Sequence, residues 1–303
     1  MTRVETSDGL GIHAEAHGEG PVVVLSPGYC QTHENFRPQV EPLVRAGYRA
    51  VLWDYRGHGL SDAPLEPERY SMARVVADLG SVVAWAAPGR RPVLGGLSFG
   101  GLASLHYALA HPGAVRALLL LASGPGFKNA DAQARWEAQV GRIADRLEER
   151  GFEGYVDGRA AATAIGLRPE LPEAQAAGRA IVAQEPRAVA IFGRRVAGPA
   201  EGVIDALPSL AVPALVLVGE RDEAYLRAAD VMAARIPGAK LVRVPDAGHV
   251  VNIEQADGFN TAMLDFLASL PPEPAQSAAK KTTRGLIARA LSAARRGSRA
   301  SRC

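Results

Sequence analysis

The sequence predicts an α/β fold in which a mostly parallel central sheet is flanked by helices and a helical cap is inserted between two strands. Three observations predict it. Short β-branched or leucine-rich runs alternate with longer helical stretches, the rhythm of a parallel sheet with crossover helices on both faces. Runs such as VVVL, ALLLLA and PALVLV are apolar at almost every position, as strands buried on both faces must be. The rhythm then breaks between Gly126 and Pro208, where helical spacing replaces strand-like runs.

Taken in order, Arg3 to Thr6 and Gly11 to His17 flank the turn-forming Ser7-Asp8-Gly9 and predict an antiparallel opening hairpin. Strands follow at Val22 to Ser26, Arg49 to Asp54, Pro92 to Leu97 and Ala117 to Ala122. Within the break, Trp136, Val140, Ile143 and Leu147 recur at i, i+4, i+7 and i+11, one apolar stripe on a helix. A second helix is predicted over Ala174 to Gln184 and a third around Arg187 to Val196. Strands resume at Ala214 to Gly219 and Lys240 to Pro245, and a last helix runs up to Phe266-Leu267. The prolines of Leu270-Pro271-Pro272-Glu273-Pro274 end it. The expected division is a core of 1–125 and 209–270, a cap of 126–208, and a basic tail of 271–303 that is expected to be disordered.

With 303 residues, 48% hydrophobic and 22% charged, the chain is long and apolar enough to bury a substantial core, and disorder throughout is excluded. Its formal charge of +2 averages two unlike parts. From Pro271 onward, eight basic residues (Lys280, Lys281, Arg284, Arg289, Arg295, Arg296, Arg299, Arg302) face one acid, Glu273, a charge of +7. Taking these from the 34 basic and 32 acidic residues of the whole leaves 26 and 31, so residues 1 to 270 carry −5. That body lacks the basic surface of a nucleic-acid binder, which excludes nucleic acid as substrate and argues for a small molecule. In the tail, Leu286, Ile287, Ala290, Leu291 and Ala294 lie beside Arg289 and Arg295, a pattern suited to weak membrane or polyanion contact through residues 280 to 302.

Two cysteines, Cys30 and Cys303, make no disulfide framework, and no Cys/His metal pattern exists. That usage fits a reducing compartment. The opening MTRVETSDGLG has no apolar leader, and every apolar run is far shorter than the ~18 residues that span a bilayer, so the expected location is cytoplasmic. Composition leaves the oligomeric state open.

The sharpest chemical signal is Gly96-Leu97-Ser98-Phe99-Gly100-Gly101, between the strand-like RPVLGGL and the helical GLASLHYALAHP. A serine on a sharp strand-to-helix turn needs glycine on either side, because strand and helix approach too closely there for side chains. The turn lifts Oγ out of the sheet to a helix N-terminus, whose free N–H groups favour developing negative charge. A serine that only capped the helix would be the structural alternative. As a nucleophile, Ser98 needs a base and an orienting acid. His249, in Asp246-Ala247-Gly248-His249, and Asp222, in Gly219-Glu220-Arg221-Asp222, each follow a strand and so sit at carboxyl ends, where open α/β sheets place ligands. The chain order Ser98, Asp222, His249 is the one this constellation takes on such a sheet.

On these residues the chain resembles serine-type members of the α/β-hydrolase superfamily with a helical cap, over residues 1 to about 270. Asp54-Tyr55-Arg56-Gly57-His58-Gly59-Leu60-Ser61 is similar to the loop these proteins carry after an early strand, and Gly248-His249 followed by Glu254 is similar to their ending. For Asp54, Arg56, His58 and Glu254 the resemblance implies loop architecture rather than catalysis. It also implies an oxyanion hole of two backbone N–H groups, Phe99 after the nucleophile and Tyr29 in Pro27-Gly28-Tyr29-Cys30, where relatives commonly carry His-Gly. Cys30, His33 and Trp136 are candidate substrate contacts, against the plainer readings of an inert thiol, a loop histidine and a cap core residue. His13, His17, His106 and His111 have structural explanations in hairpin and helix.

The resemblance implies acyl transfer on a small or medium, largely apolar ester or lactone, with no metal or organic cofactor. Arg135-Trp136 through Gly151-Phe152 is faintly similar to enol-lactonases, while Arg135, Arg194 and Arg195 offer a carboxylate site if they reach inward. Carbon–carbon bond hydrolysis, cofactor-free peroxidase or acyltransferase chemistry on the same triad, and a non-catalytic ligand-binding protein of this fold, are the alternatives. Serine at the turn argues against dehalogenation and epoxide opening, which resemble this pattern but require a carboxylate nucleophile.

Overall fold

Strands β1 (Thr2–Glu5), β2 (Gly11–His17), β3 (Val22–Ser26), β4 (Arg49–Trp53), β5 (Val93–Leu97), β6 (Ala117–Leu121), β7 (Ala214–Gly219) and β8 (Lys240–Val244) form one sheet in the computed structural model. The structure describes residues 2–272 apart from 153 and 159. The sheet order is β1-β2-β4-β3-β5-β6-β7-β8. β1 and β2 pair antiparallel, β2 meets β4 antiparallel, and all later pairings are parallel. Each strand lies within one residue of its expected bounds at either end, because buried apolar runs leave little freedom in where pairing starts.

The helices are α1 (Arg37–Arg45), α2 (Met72–Ala86), α3 (Phe99–Ala110), α4 (Ala130–Arg150), α5 (Ala161–Ala164), α6 (Pro172–Val182), α7 (Pro186–Phe192), α8 (Glu223–Arg235), α9 (Val251–Glu254) and α10 (Ala256–Ala268). From β3 the chain steps outward to β4, then returns across β3 to β5. The strand order therefore reverses between β3 and β5, and the carboxyl ends of these two strands flank the crevice where such sheets bind ligands. Strands β3, β5, β6 and β7 are buried at every residue, and Val24, Val51, Leu94, Leu118 and Val216 belong to one apolar core with Leu79 of α2 and Met232 of α8.

No strand occurs among the described residues between β6 and β7; α4 to α7 occupy that stretch. Asn129 caps α4 by accepting a hydrogen bond from Ala132 N at 2.9 Å; of the expected stripe Val140 and Leu147 are buried, beside Ala144, while Trp136 and Ile143 are half-buried. The third expected helix is shorter than its spacing suggests, since α7 ends at Phe192 and Gly193–Ala197 widens into a π-helical turn. Phe192 attaches this insertion to the sheet. Fully buried, its ring meets those of His58 at 4.6 Å, Phe99 at 5.2 Å and Tyr55 at 5.5 Å between centroids.

The chain divides into two units, Met1–Ser269 and Leu270–Cys303. The basic tail from 273, with Cys303 and the expectation of disorder, lies outside the described residues. No helix among the described residues is long and apolar enough to cross a membrane.

His58 gives this core a pH dependence. Burial pushes its imidazole down to about 4 from 6.5, so the fold holds it neutral. Between those values the unfolded chain binds more protons than the folded one, and stability rises with pH. Lowering the pH from 7 to 4 should therefore remove on the order of 3 kcal/mol through this one group. Urea unfolding at the two pH values should show a smaller difference in His58→Phe than in the unaltered protein, and equal pH slopes would refute the assignment.

Candidate active site

At the carboxyl end of β5 the backbone turns into α3 through Ser98, whose φ of 54° and ψ of −117° lie in a region few non-glycine residues adopt. The turn is held by Ser98 N donating to Leu121 O at 2.8 Å and by Ser123 Oγ donating to Ser98 O at 2.7 Å. Both flanking glycines are sterically required. A Cβ on Gly96 would strike the Gly100 carbonyl carbon, and one on Gly100 would strike Ser26 O at the end of β3. Ser98 itself is half-buried, and Phe99 N, at the first position of α3, has no intrahelical acceptor.

The loops after β7 and β8 are joined by their backbones. Glu220 N donates to Val244 O at 3.0 Å and Arg221 N to Ala247 O at 2.8 Å, continuing the parallel pairing past the strand ends. Asp222 and His249 are brought together on this platform, with His249 Nδ1 2.8 Å from Asp222 Oδ2 and both residues 7% exposed. Glu254 fixes the histidine loop from the other side. Its carboxylate accepts from Gly248 N at 2.7 Å and from Val250 N at 3.0 Å, one amide on each side of His249.

The structure adds a residue that the sequence reading missed. Tyr225 lies three residues after Asp222 in the first turn of α8, so the two share a helix face. Its hydroxyl is 3.2 Å from Ser98 Oγ, and its ring lies 4.7 Å from that of His249 at a 34° tilt. Burial raises the Tyr225 phenol above its usual range, opposed by Ser98 and aided by Asp222, so it is protonated at neutral pH. The partner of Ser98 Oγ here is thus Tyr225, while His249 is engaged by Asp222. The only sequence signal was an aromatic residue one helical turn beyond the acid.

Opposite Ser98 stands the loop after β3. A Cβ on Gly28 would come within 3.5 Å of Ser98 Cβ, so Pro27-Gly28-Tyr29 borders the serine. Tyr55 OH donates to Pro27 O at 2.8 Å and Gly28 N donates to Gln31 Oε1 at 2.9 Å. The insertion steadies the loop further. Gln184 Nε2 donates to Cys30 O at 2.8 Å while its Oε1 accepts from Gly59 N at 3.0 Å, and Gln31 Nε2 donates to Thr163 O at 3.2 Å. Cys30 carries a left-handed φ of 67°.

The three candidate substrate contacts sit in different surroundings. Cys30 is fully buried, and burial pushes its thiol up to about 12, so it is an inert thiol. His33 is 6% exposed and its Nδ1 lies 2.8 Å from Asp54 Oδ2. Trp136 Nε1 donates to Ala197 O at 2.9 Å within the insertion. Of the arginines offered as carboxylate ligands, Arg194 pairs with Asp145 and Glu148 at 2.6 Å on the surface, and Arg135 and Arg195 are exposed; helix periodicity turned them outward. A groove of about 420 Å³ includes Leu215, Lys240 and Phe266 in its lining. It lies at the amino ends of β7 and β8, opposite the side of the sheet that carries Ser98.

The alpha/beta hydrolase fold family is matched over residues 21–256. A pimeloyl-[acyl-carrier protein] methyl ester esterase of Xanthomonas campestris pv. campestris (strain B100) is 31% identical over 263 residues, 86% of this chain and 100% of that protein. A putative 2-succinyl-6-hydroxy-2,4-cyclohexadiene-1-carboxylate synthase of Bacillus subtilis (strain 168) is 27% identical over 268 residues, 86% and 96% of the two chains. Among solved structures, the enol-lactonase from Burkholderia xenovorans LB400 superposes with a TM-score of 0.75 at 25% identity, covering 88% of this chain and 100% of its own.

Replacing Glu254 by Ala leaves two amides without their acceptor. Hydrogen bonds to a charged group contribute ~1.5–3 kcal/mol each, so Glu254→Ala should lower unfolding free energy by roughly 3–6 kcal/mol and speed hydrogen exchange at Gly248 and Val250. Unchanged exchange at both amides would contradict this role.

Proposed function

The chain belongs to the alpha/beta hydrolase fold family and is a hydrolase, and we propose that it cleaves a small or medium, largely apolar carboxylic ester or lactone through an acyl-enzyme on Ser98. The observation that carries this reading is the strained turn at Ser98, joined through Tyr225 to an Asp222–His249 pair at 2.8 Å. The esterase and enol-lactonase relatives support the reaction class. The insertion supports the apolar preference: Phe192 stacks on Tyr29 at 6.2 Å, and Arg194, a candidate carboxylate ligand, is paired at the surface.

In the proposed reaction Ser98 Oγ first leaves Tyr225 and turns to His249 Nε2. It attacks the carbonyl carbon as His249 takes its proton, and Asp222 fixes the tautomer with Nδ1–H donated to the carboxylate. The carbonyl oxygen becomes an oxyanion held by Tyr29 N–H and Phe99 N–H, the latter at the positive end of α3. Collapse expels the alkoxide, which His249 protonates, and leaves the acyl group on Ser98. Water then attacks with His249 again as base, and the second collapse releases the acid and restores Ser98.

A nitrophenyl ester series beside a lactone panel tests the substrate class, since an enclosed apolar pocket should give a cutoff in acyl length. Ser98→Ala should lose on the order of 10⁴-fold or more in turnover, and near-normal hydrolysis by that variant would end the proposal. A fluorophosphonate should label Ser98 in the folded protein; failure to label would favour a non-catalytic binding protein. The Tyr225 bond holds Ser98 in a resting rotamer at a net ~0.5–1.5 kcal/mol, so Tyr225→Phe should speed labelling by up to about tenfold. Slower labelling would mean that the phenol acts on the transition state instead.

A further inference from the structure

We propose that His13, Glu15 and His33 form a binding site for one divalent transition-metal ion of the zinc class, separate from Ser98. Alternation along β2 puts His13, Glu15 and His17 on one face of the strand, and the turn begun at His33 lies against that face. The His13 and His33 rings are 4.6 Å apart between centroids at 49°. One donor atom from each of His13, Glu15 and His33 lies within 4.8 Å of the others. Tetrahedral bonds of ~2.0–2.2 Å place donors roughly 3.4 Å apart, so the group closes on an ion by small side-chain movements.

Two independent features point to a ligand. His13 is 6% exposed, and its Nε2 is buried without a hydrogen-bond partner, a state that costs about 1–3 kcal/mol unless something occupies the lone pair. His33 presents the arrangement that metal-bound histidines adopt, with Nδ1 against the Asp54 carboxylate at 2.8 Å. That leaves His33 Nε2 facing Glu34 Oε1 at 3.2 Å and Glu15 Oε1 at 3.6 Å.

Charge and access agree with a dication. Glu15, Glu34 and Asp54 surround His33, and Arg37 bridges the first two at 2.7 Å and 2.5 Å. With neutral imidazoles the group carries −2, which a divalent ion balances. Arg37 engages Glu15 Oε1 at 2.7 Å and leaves the carboxylate with unused lone pairs for a metal. His17 Nε2 lies 3.2 Å from Glu15 Oε2 yet makes no aligned hydrogen bond; its 34% exposed side chain opens the site to solvent, outside the group of three whose donors lie within 4.8 Å of one another. Imidazole nitrogens with a carboxylate suit zinc, cobalt and nickel over calcium or magnesium. β2 is three strand spacings from β5, roughly 14 Å, so the ion would tie β2 to the segment that follows Tyr29-Cys30 without touching Ser98.

The full-length chain, stripped with a chelator, should bind one equivalent of Co²⁺ with a visible tetrahedral absorption that Zn²⁺ abolishes. Zn²⁺ should also raise its Tm. His13→Asn and Glu15→Gln should each weaken Co²⁺ binding at least tenfold, while His249→Asn should bind as the unaltered protein does. Should His13→Asn fail to fold, nitrogen NMR of the unaltered protein decides: Zn²⁺ should shift Nε2 of His13 and His33 and leave His249 in place. No saturable Co²⁺ binding, equal affinity in Glu15→Gln, or shifts confined to His249 would each overturn the proposal.

Discussion

The contact on which the rest of this site depends is the crossing of α3 over the end of β3. Gly100 lies so close to Ser26 O that no side chain fits between them, and the chain reaches that crossing only by turning sharply at Ser98. Helix, strand and serine are therefore one mechanical unit. The strain at Ser98 persists because the hydrogen bonds to Leu121 and from Ser123 hold it on both sides. The same approach brings Pro27-Gly28-Tyr29 against the serine, so the crossing that exposes Oγ also positions the amides expected to face it.

Around this unit, buried carboxylates hold loops in place. Asp54 accepts from His33 N at 2.7 Å and from Leu60 N at 3.0 Å, joining two loops on one side of the crevice. Glu254 does the same for the histidine loop. Arg56 is 1% exposed and bonds Asp78 through two nitrogens at 2.6 and 2.7 Å and Asp8 at 3.0 Å. Removing one member of such a group leaves an uncompensated buried charge, which costs more than the intact pair contributes. The residues of the Asp54 to Ser61 stretch act on the site through loop geometry.

The insertion contributes from above by two routes. Phe192 brings an aromatic ring into the group formed by Tyr29, Tyr55, His58 and Phe99, and two amide hydrogen bonds, Gln31 to Thr163 O and Gln184 to Cys30 O, join the loop after β3 to the insertion. Apolar packing positions the insertion, and the amides then set its register on the loop. Tyr225, in the first turn of α8, meets Ser98 from the side of the acid.

What the sequence determined by itself is what depends on local physics. Uniform apolar runs specify buried parallel strands, the stripe from Trp136 to Leu147 specifies a helix, and glycines on both sides of Ser98 specify a strand-to-helix turn. His249 and Asp222 were legible because each follows a strand, and strand ends gather on one side of a parallel sheet. Tyr225, Phe192, Gln184 and the group of His13, Glu15 and His33 were not legible. Their partners lie 127, 134, 154 and 20 residues away, and no period or spacing encodes such a meeting. Only the tertiary structure decided which hydroxyl Ser98 meets, that Arg194 points outward to Asp145, and that Cys30 is buried, because each follows from which elements the closed sheet brings into contact.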